Sequence, residues 1–126
     1  MVRSTLVVLL LLLGGCRHRD PEGTPAPADA PKEDVTLLVR NHHWLDINIY
    51  MMHGNLRQRL GTVTGASERT FTIPWSRLTG QIGLQLIADP VGQSGVLTEE
   101  VNAVRPGSVV EWTIESALRQ SSIAVY

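Results

Sequence analysis

The sequence holds one cysteine, Cys16, in 126 residues. A single thiol excludes an intramolecular disulfide and every multi-cysteine zinc or iron–sulfur site. Aromatic residues are scarce, at 5% of the chain: one phenylalanine, two tyrosines and three tryptophans. Neither charge sign is in excess, with 11 basic against 12 acidic side chains. That balance provides no long-range field for nucleic acid, and no nucleic-acid partner is expected. The longest apolar run, Leu6 to Leu13, falls well short of the roughly 20 residues of a permanent membrane-spanning helix. What remains is a chain 43% apolar and 18% charged, sized for a single globular domain.

The cysteine has a specific place. Met1-Val2-Arg3 supplies a positive charge, the apolar run follows, and Gly14 and Gly15 precede Cys16, which is the architecture of a signal peptide over residues 1–15. Leu13-Gly14-Gly15-Cys16 resembles the lipobox of bacterial lipoproteins, a leucine and two small residues before the cysteine. The resemblance implies that Leu13, Gly14 and Gly15 are read by a signal peptidase cutting before Cys16, and that the Cys16 thiol carries diacylglycerol, with an N-acyl lipid on the new terminus. It further implies a membrane partner reached through this anchor in the bacterial cell envelope. The residue after the cysteine is Arg17 rather than the aspartate that retains some lipoproteins in the inner membrane, which favours the periplasmic leaflet of the outer membrane. No other cofactor is expected.

Residues 16–34 change character. Prolines stand at 21, 25, 27 and 31 among alanines and charges, with no large apolar side chain. Such a segment packs no core and reads as a tether. At about 3.1 Å per residue it reaches roughly 50 Å from a lipid surface.

From residue 35 to 126 the apolar period is two. Val35, Leu37 and Val39 share one face of a first strand; Leu45, Ile47, Ile49 and Met51 share one face of a second, with Asp46, Asn48 and Tyr50 opposite. Gly54-Asn55 then suits a two-residue type II′ hairpin. That turn sets Tyr50 across from Arg59 on the outside and Ile49 across from Leu60 on the inside. Further strands are expected near 69–73, 81–88, 96–103 and 108–115, the last preceded by Arg105-Pro106-Gly107, a type II turn signal. The tail Ser116 to Tyr126 reads equally as an eighth strand or a loose end. About seven short strands with no helical period predict an all-β, antiparallel β-sandwich. The spacing resembles small immunoglobulin-like or transthyretin-like domains of the bacterial envelope; the likeness is one of shape and carries over no functional residue.

Catalytic chemistry is not expected. Gly92-Gln93-Ser94-Gly95 lacks the second glycine where a nucleophile elbow needs it, and no helix follows. His42 and His43 are neighbours on extended chain and diverge, while His53 lies at the hairpin tip, so no metal site is assigned; a solvent-facing histidine here pairs at most with Glu99 or Glu100. Those glutamates are adjacent on a strand and diverge as well.

The outward face is more informative. Trp112 shares parity with Val110 and Ile114 and is placed in the core; Trp75 is placed at one end of the sandwich. Trp44, Asp46, Asn48, Tyr50, Arg57 and Arg59 form an outward stripe of aromatic, amide, carboxylate and guanidinium groups, the composition of an interaction surface. Its bland counterpart is a solvated face on which Tyr50 stacks with Arg59. The function expected is a lipid-anchored envelope protein whose sandwich is a protein-interaction or structural module with an envelope protein partner. The alternative is an envelope glycan or peptidoglycan-binding module using Trp44, Tyr50 and Trp75 as stacking platforms.

Overall fold

The computed structural model describes residues 33–126. Leu13, Gly14, Gly15, Cys16 and all but the last two tether residues lie outside the described residues. Eight strands form: β1 (Val35–Asn41), β2 (Ile47–His53), β3 (Leu56–Val63), β4 (Ser67–Ile73), β5 (Leu84–Pro90), β6 (Leu97–Val101), β7 (Val109–Ile114) and β8 (Ser122–Val125). They make two four-stranded sheets, one ordered β4-β1-β7-β8 and the other β3-β2-β5-β6. The expected all-β sandwich is therefore present, and the tail supplies its eighth strand. Pairing is antiparallel throughout except between β1 and β7, which run parallel with Thr36 beside Val109.

Alternation explains the core. Val35, Leu37, Val39, Ile47, Ile49, Met51, Leu84, Leu86, Ala88, Val110, Trp112 and Ile114 are all buried between the sheets, each on the inward parity of its strand. Trp112 lies at the centre of this layer, and its indole Nε1 has no hydrogen-bond partner among the described residues, so packing alone fixes it.

The turns follow their chemistry. Gly54 has φ +59° and heads the β2–β3 hairpin, in which Tyr50 pairs with Arg59 as the loop length requires. The inner register differs from the simple extrapolation: Ile49 faces Gly61, not Leu60, because the pairing shifts between Ile49 and Tyr50. Leu60 is the extra residue of a β-bulge. Gly61 is needed there, since a Cβ on it would meet the Phe71 ring at 2.8 Å and the Arg69 guanidinium at 3.1 Å.

The Arg105-Pro106-Gly107 turn closes with Ser108 N–H donating to the Arg105 carbonyl at 3.0 Å, and Gly107 has φ +78°. Gly107→Ala is expected to cost about 1 kcal/mol in denaturant unfolding, because a Cβ at positive φ is disfavoured. The strand near 81–88 begins later and ends later than its alternation implies. Ile82 has the right parity yet is 94% exposed, and pairing starts only at Leu84, which meets Val101 of β6.

Candidate functional site

β2 lies between β3 and β5, so the residues of its outward parity are flanked on both sides. Arg59, Tyr50 and Ile87 form one row; Thr62, Asn48 and Asp89 form the next. Thr98 of β6 extends the first row beside Ile87. Four of the six stripe residues are thus brought onto one sheet face: Asn48, Tyr50, Arg57 and Arg59.

Their side chains are held by one another. The Arg57 guanidinium lies over the Tyr50 ring, 3.8 Å from its centroid, and its Nη2 also reaches Asp89 Oδ2 at 3.2 Å. The cation–π partner of Tyr50 is therefore Arg57, one row along, rather than Arg59 directly opposite. Arg59 Nη2 donates instead to Asn48 Oδ1 at 2.9 Å and to Thr62 Oγ1 at 2.6 Å, and Thr62 Oγ1 donates to Asn48 Oδ1 at 2.7 Å. The bulge accounts for the exchange, because it moves Thr62 opposite Asn48 and gives Arg59 two oxygens in reach.

Trp44 and Asp46 stand apart from that face. Both precede β2, in the bend that joins it to β1. Asp46 Oδ1 accepts from Gly65 N–H at 3.0 Å, and the indole of Trp44 is 75% exposed. The bend is locked from beneath by Asn41, which is fully buried. Asn41 Nδ2 lies 2.9 Å from the Leu45 carbonyl, 3.2 Å from that of Val63 and 3.1 Å from that of Thr64. Its Oδ1 accepts from His43 N–H at 2.9 Å. The β3–β4 turn closes the lattice through Ala66 N–H to the His43 carbonyl, at 2.9 Å. Gly65 packs so closely on the Trp44 carbonyl that a Cβ there would lie 2.3 Å from the oxygen.

His43 corrects the expectation of solvent-facing histidines. It is buried, and its Nδ1 accepts the Leu45 N–H at 3.0 Å, which places any neutral-ring proton on Nε2. Its ring stacks beside that of Trp44, with centroids 5.8 Å apart. His42 points outward and pairs with Glu115 at 3.0 Å, not with Glu99 or Glu100. Among the described residues, no three or more histidine, cysteine, aspartate or glutamate side chains gather as a metal would require. Trp75 opens a short 3-10 turn after β4 and packs partly against the core.

Ile87, Asp89 and Thr62 on the face, and Asn41 beneath the bend, lie outside the stripe that the sequence marks. The alternation of β5 does put Ile87 and Asp89 opposite Leu86 and Ala88, but nothing local says that β5 lies beside β2. Asn41 continues the buried parity of Val35, Leu37 and Val39. A polar residue on that parity is the one signal that marks it.

No family model matches the chain, and no curated protein matches it. Four chains of solved structures do. One is a protein from Eubacterium rectale whose structure was determined by NMR, with 13% sequence identity and a TM-score of 0.46, the match covering 75% of this chain and 88% of that one.

Proposed function

We propose that this chain is a lipid-anchored protein of the bacterial envelope whose β-sandwich binds a protein partner through the outward face of the β2 sheet. The observation that carries the binding reading is the Tyr50–Arg57–Asp89 arrangement, with the guanidinium 3.8 Å from the ring centroid and also on the carboxylate. Tyrosine and arginine dominate binding energy at protein interfaces, and here both are ordered before any partner arrives, which lowers the entropy lost on association. Ile87 beside Tyr50 supplies apolar area, and Asn48, Thr62 and Arg59 form a polar rim. The anchor reading rests on Leu13-Gly14-Gly15-Cys16.

The test is a photoreactive side chain at position 87 in intact cells. One discrete adduct is expected, and Tyr50→Ala should weaken it by about thirtyfold, the effect of a contact worth 2 kcal/mol. An adduct indifferent to Tyr50→Ala and Arg57→Ala, or none, would sink the reading. A glycan-binding role has one observation in its favour: the exposed Trp44 ring on a corner made rigid by Asn41. In that case Trp44→Ala abolishes retention on envelope glycan while the adduct at position 87 is unchanged.

A further inference from the structure

We propose that β8 is a docking edge for a second copy of this chain, the two β8 strands pairing antiparallel about a two-fold axis at Ala124. The inference concerns the other sheet from the Tyr50 face and stands independently of it.

The sandwich has four edge strands among the described residues: β4, β8, β3 and β6. Three carry features that discourage a further strand. β3 has its bulge and Arg57 and Arg59. β4 turns Arg69 to the inward parity opposite Val39, where it donates to the Thr62 carbonyl across the open side of the sandwich at 2.9 Å. β6 turns Glu99 inward opposite Leu86 and keeps Glu100 exposed. β8 reads Ser-Ile-Ala-Val, with no charge, proline, glycine or bulge, and only its four-residue length limits a further strand.

Its hydrogen bonding is self-complementary. Tyr126 and Val109 exchange both backbone bonds, at 2.9 and 3.0 Å. In an antiparallel ladder that places Tyr126, Ala124 and Ser122 toward β7, and leaves the N–H and C=O of Ile123 and Val125 pointing away from it. Among the described residues no backbone bond reaches those four groups. A two-fold axis at Ala124 sets Ile123 opposite Val125 of the second copy, and Val125 opposite Ile123. Each pair exchanges two bonds, so all four outward groups on each copy are satisfied.

At the axis, Ala124 meets its counterpart in a non-bonded pair, where the backbones come closest, about 4.5 Å between Cα atoms. A methyl group fits there without a clash. On the core side Ile123 and Val125 continue the apolar layer across the seam. On the outer side Tyr126, 76% exposed in a single copy, faces Ser122 of the other. Self-pairing of β6 would instead bring glutamates against glutamates. The four-residue length of β8 makes the contact a small one of the weak class, so trapping is the suitable readout.

In the full-length chain, Ala124→Cys puts two thiols face to face at a separation a disulfide accepts. Mild oxidation should give a reducible dimer on a non-reducing gel, several-fold above Thr98→Cys on β6, Thr70→Cys on β4 and the unsubstituted chain, which reports any dimer made through Cys16. Adding Val125→Pro removes an outward N–H and spares the bonds to β7, so crosslinking should return to background, with the melting midpoint lowered only by the packing Val125 gives the core and the domain still folded. Equal crosslinking at the three edges, an Ala124→Cys chain that stays monomeric, or a dimer that survives Val125→Pro would each overturn the proposal.

Discussion

Asn41→Leu lowers the stability of the domain by about 3 kcal/mol in urea unfolding, because the substitution removes four hydrogen bonds, two of them fully buried, and an unmade buried bond costs about 1–3 kcal/mol. Leucine fills the volume and suits the parity of Val35, Leu37 and Val39. Yet the carbonyls of Leu45 and Val63 lose the amide donor, that of Thr64 keeps only the Ser67 hydroxyl, and the His43 N–H loses its acceptor. For a domain of this size the loss is equivalent to roughly 10–20 °C in melting midpoint. Asn41→Asp separates this account from one based on shape. It is isosteric and keeps the acceptor for His43, but it turns a carboxylate oxygen toward three carbonyls, so it should be no better tolerated than leucine. If Asn41→Asp were nearly neutral, the amide donor would not be what holds the bend.

Cys16→Ala should have the largest effect on location and none on the fold. The protein from its native membrane is expected to have the intact mass of residues 16–126 plus acyl chains. The variant should lack that added mass and leave the membrane fraction entirely. Burial of acyl chains contributes about 0.8 kcal/mol per methylene, so nothing in a near-neutral domain replaces two or three of them. The melting midpoint should not change, since Cys16 lies well before Val35 in the sequence, where the sandwich begins. An unmodified mass in the unsubstituted protein would refute the anchor, and would leave the Tyr50 face to be tested as the surface of a protein located elsewhere.

How far the sequence can be read depends on the distance over which each feature is decided. Inward parity is local, so the residues between Val35 and Val39 and between Val110 and Ile114 could be assigned to the core from alternation alone. The Gly54-Asn55 hairpin is nearly as local, and its register holds out to Tyr50 and Arg59. Beyond them the Leu60 bulge shifts it, and Gly61 was the only hint, as a glycine inside a strand. Partners drawn from elsewhere in the chain were not legible. Arg57 takes Asp89 from β5, His42 takes Glu115 from after β7, and Asn41 takes carbonyls from the end of β3. Each depends on which strands are neighbours, and alternation is silent on that. The period of two, carried back from β2, assigns Trp44 and Asp46 to the outward stripe, but they lie in a bend where that period does not apply.

The parallel pairing of β1 with β7 also sets an order of assembly. The β2 sheet is built from the β2–β3 hairpin and from β5 and β6, all of which lie within the middle of the chain. Its β2–β3 and β5–β6 pairings close over short loops and can form early, whereas the β2–β5 pairing is long-range, joining Met51 to Leu86. β1 is interior to its own sheet, between β4 and β7, and its parallel neighbour is the seventh of the eight strands among the described residues. Until β7 arrives, β1 is paired along one edge only, with β4. The domain is therefore expected to fold late and in one closing step, with β1 waiting for β7 and β8, and a chain truncated before Val109 should be a target for proteolysis rather than a smaller stable sandwich.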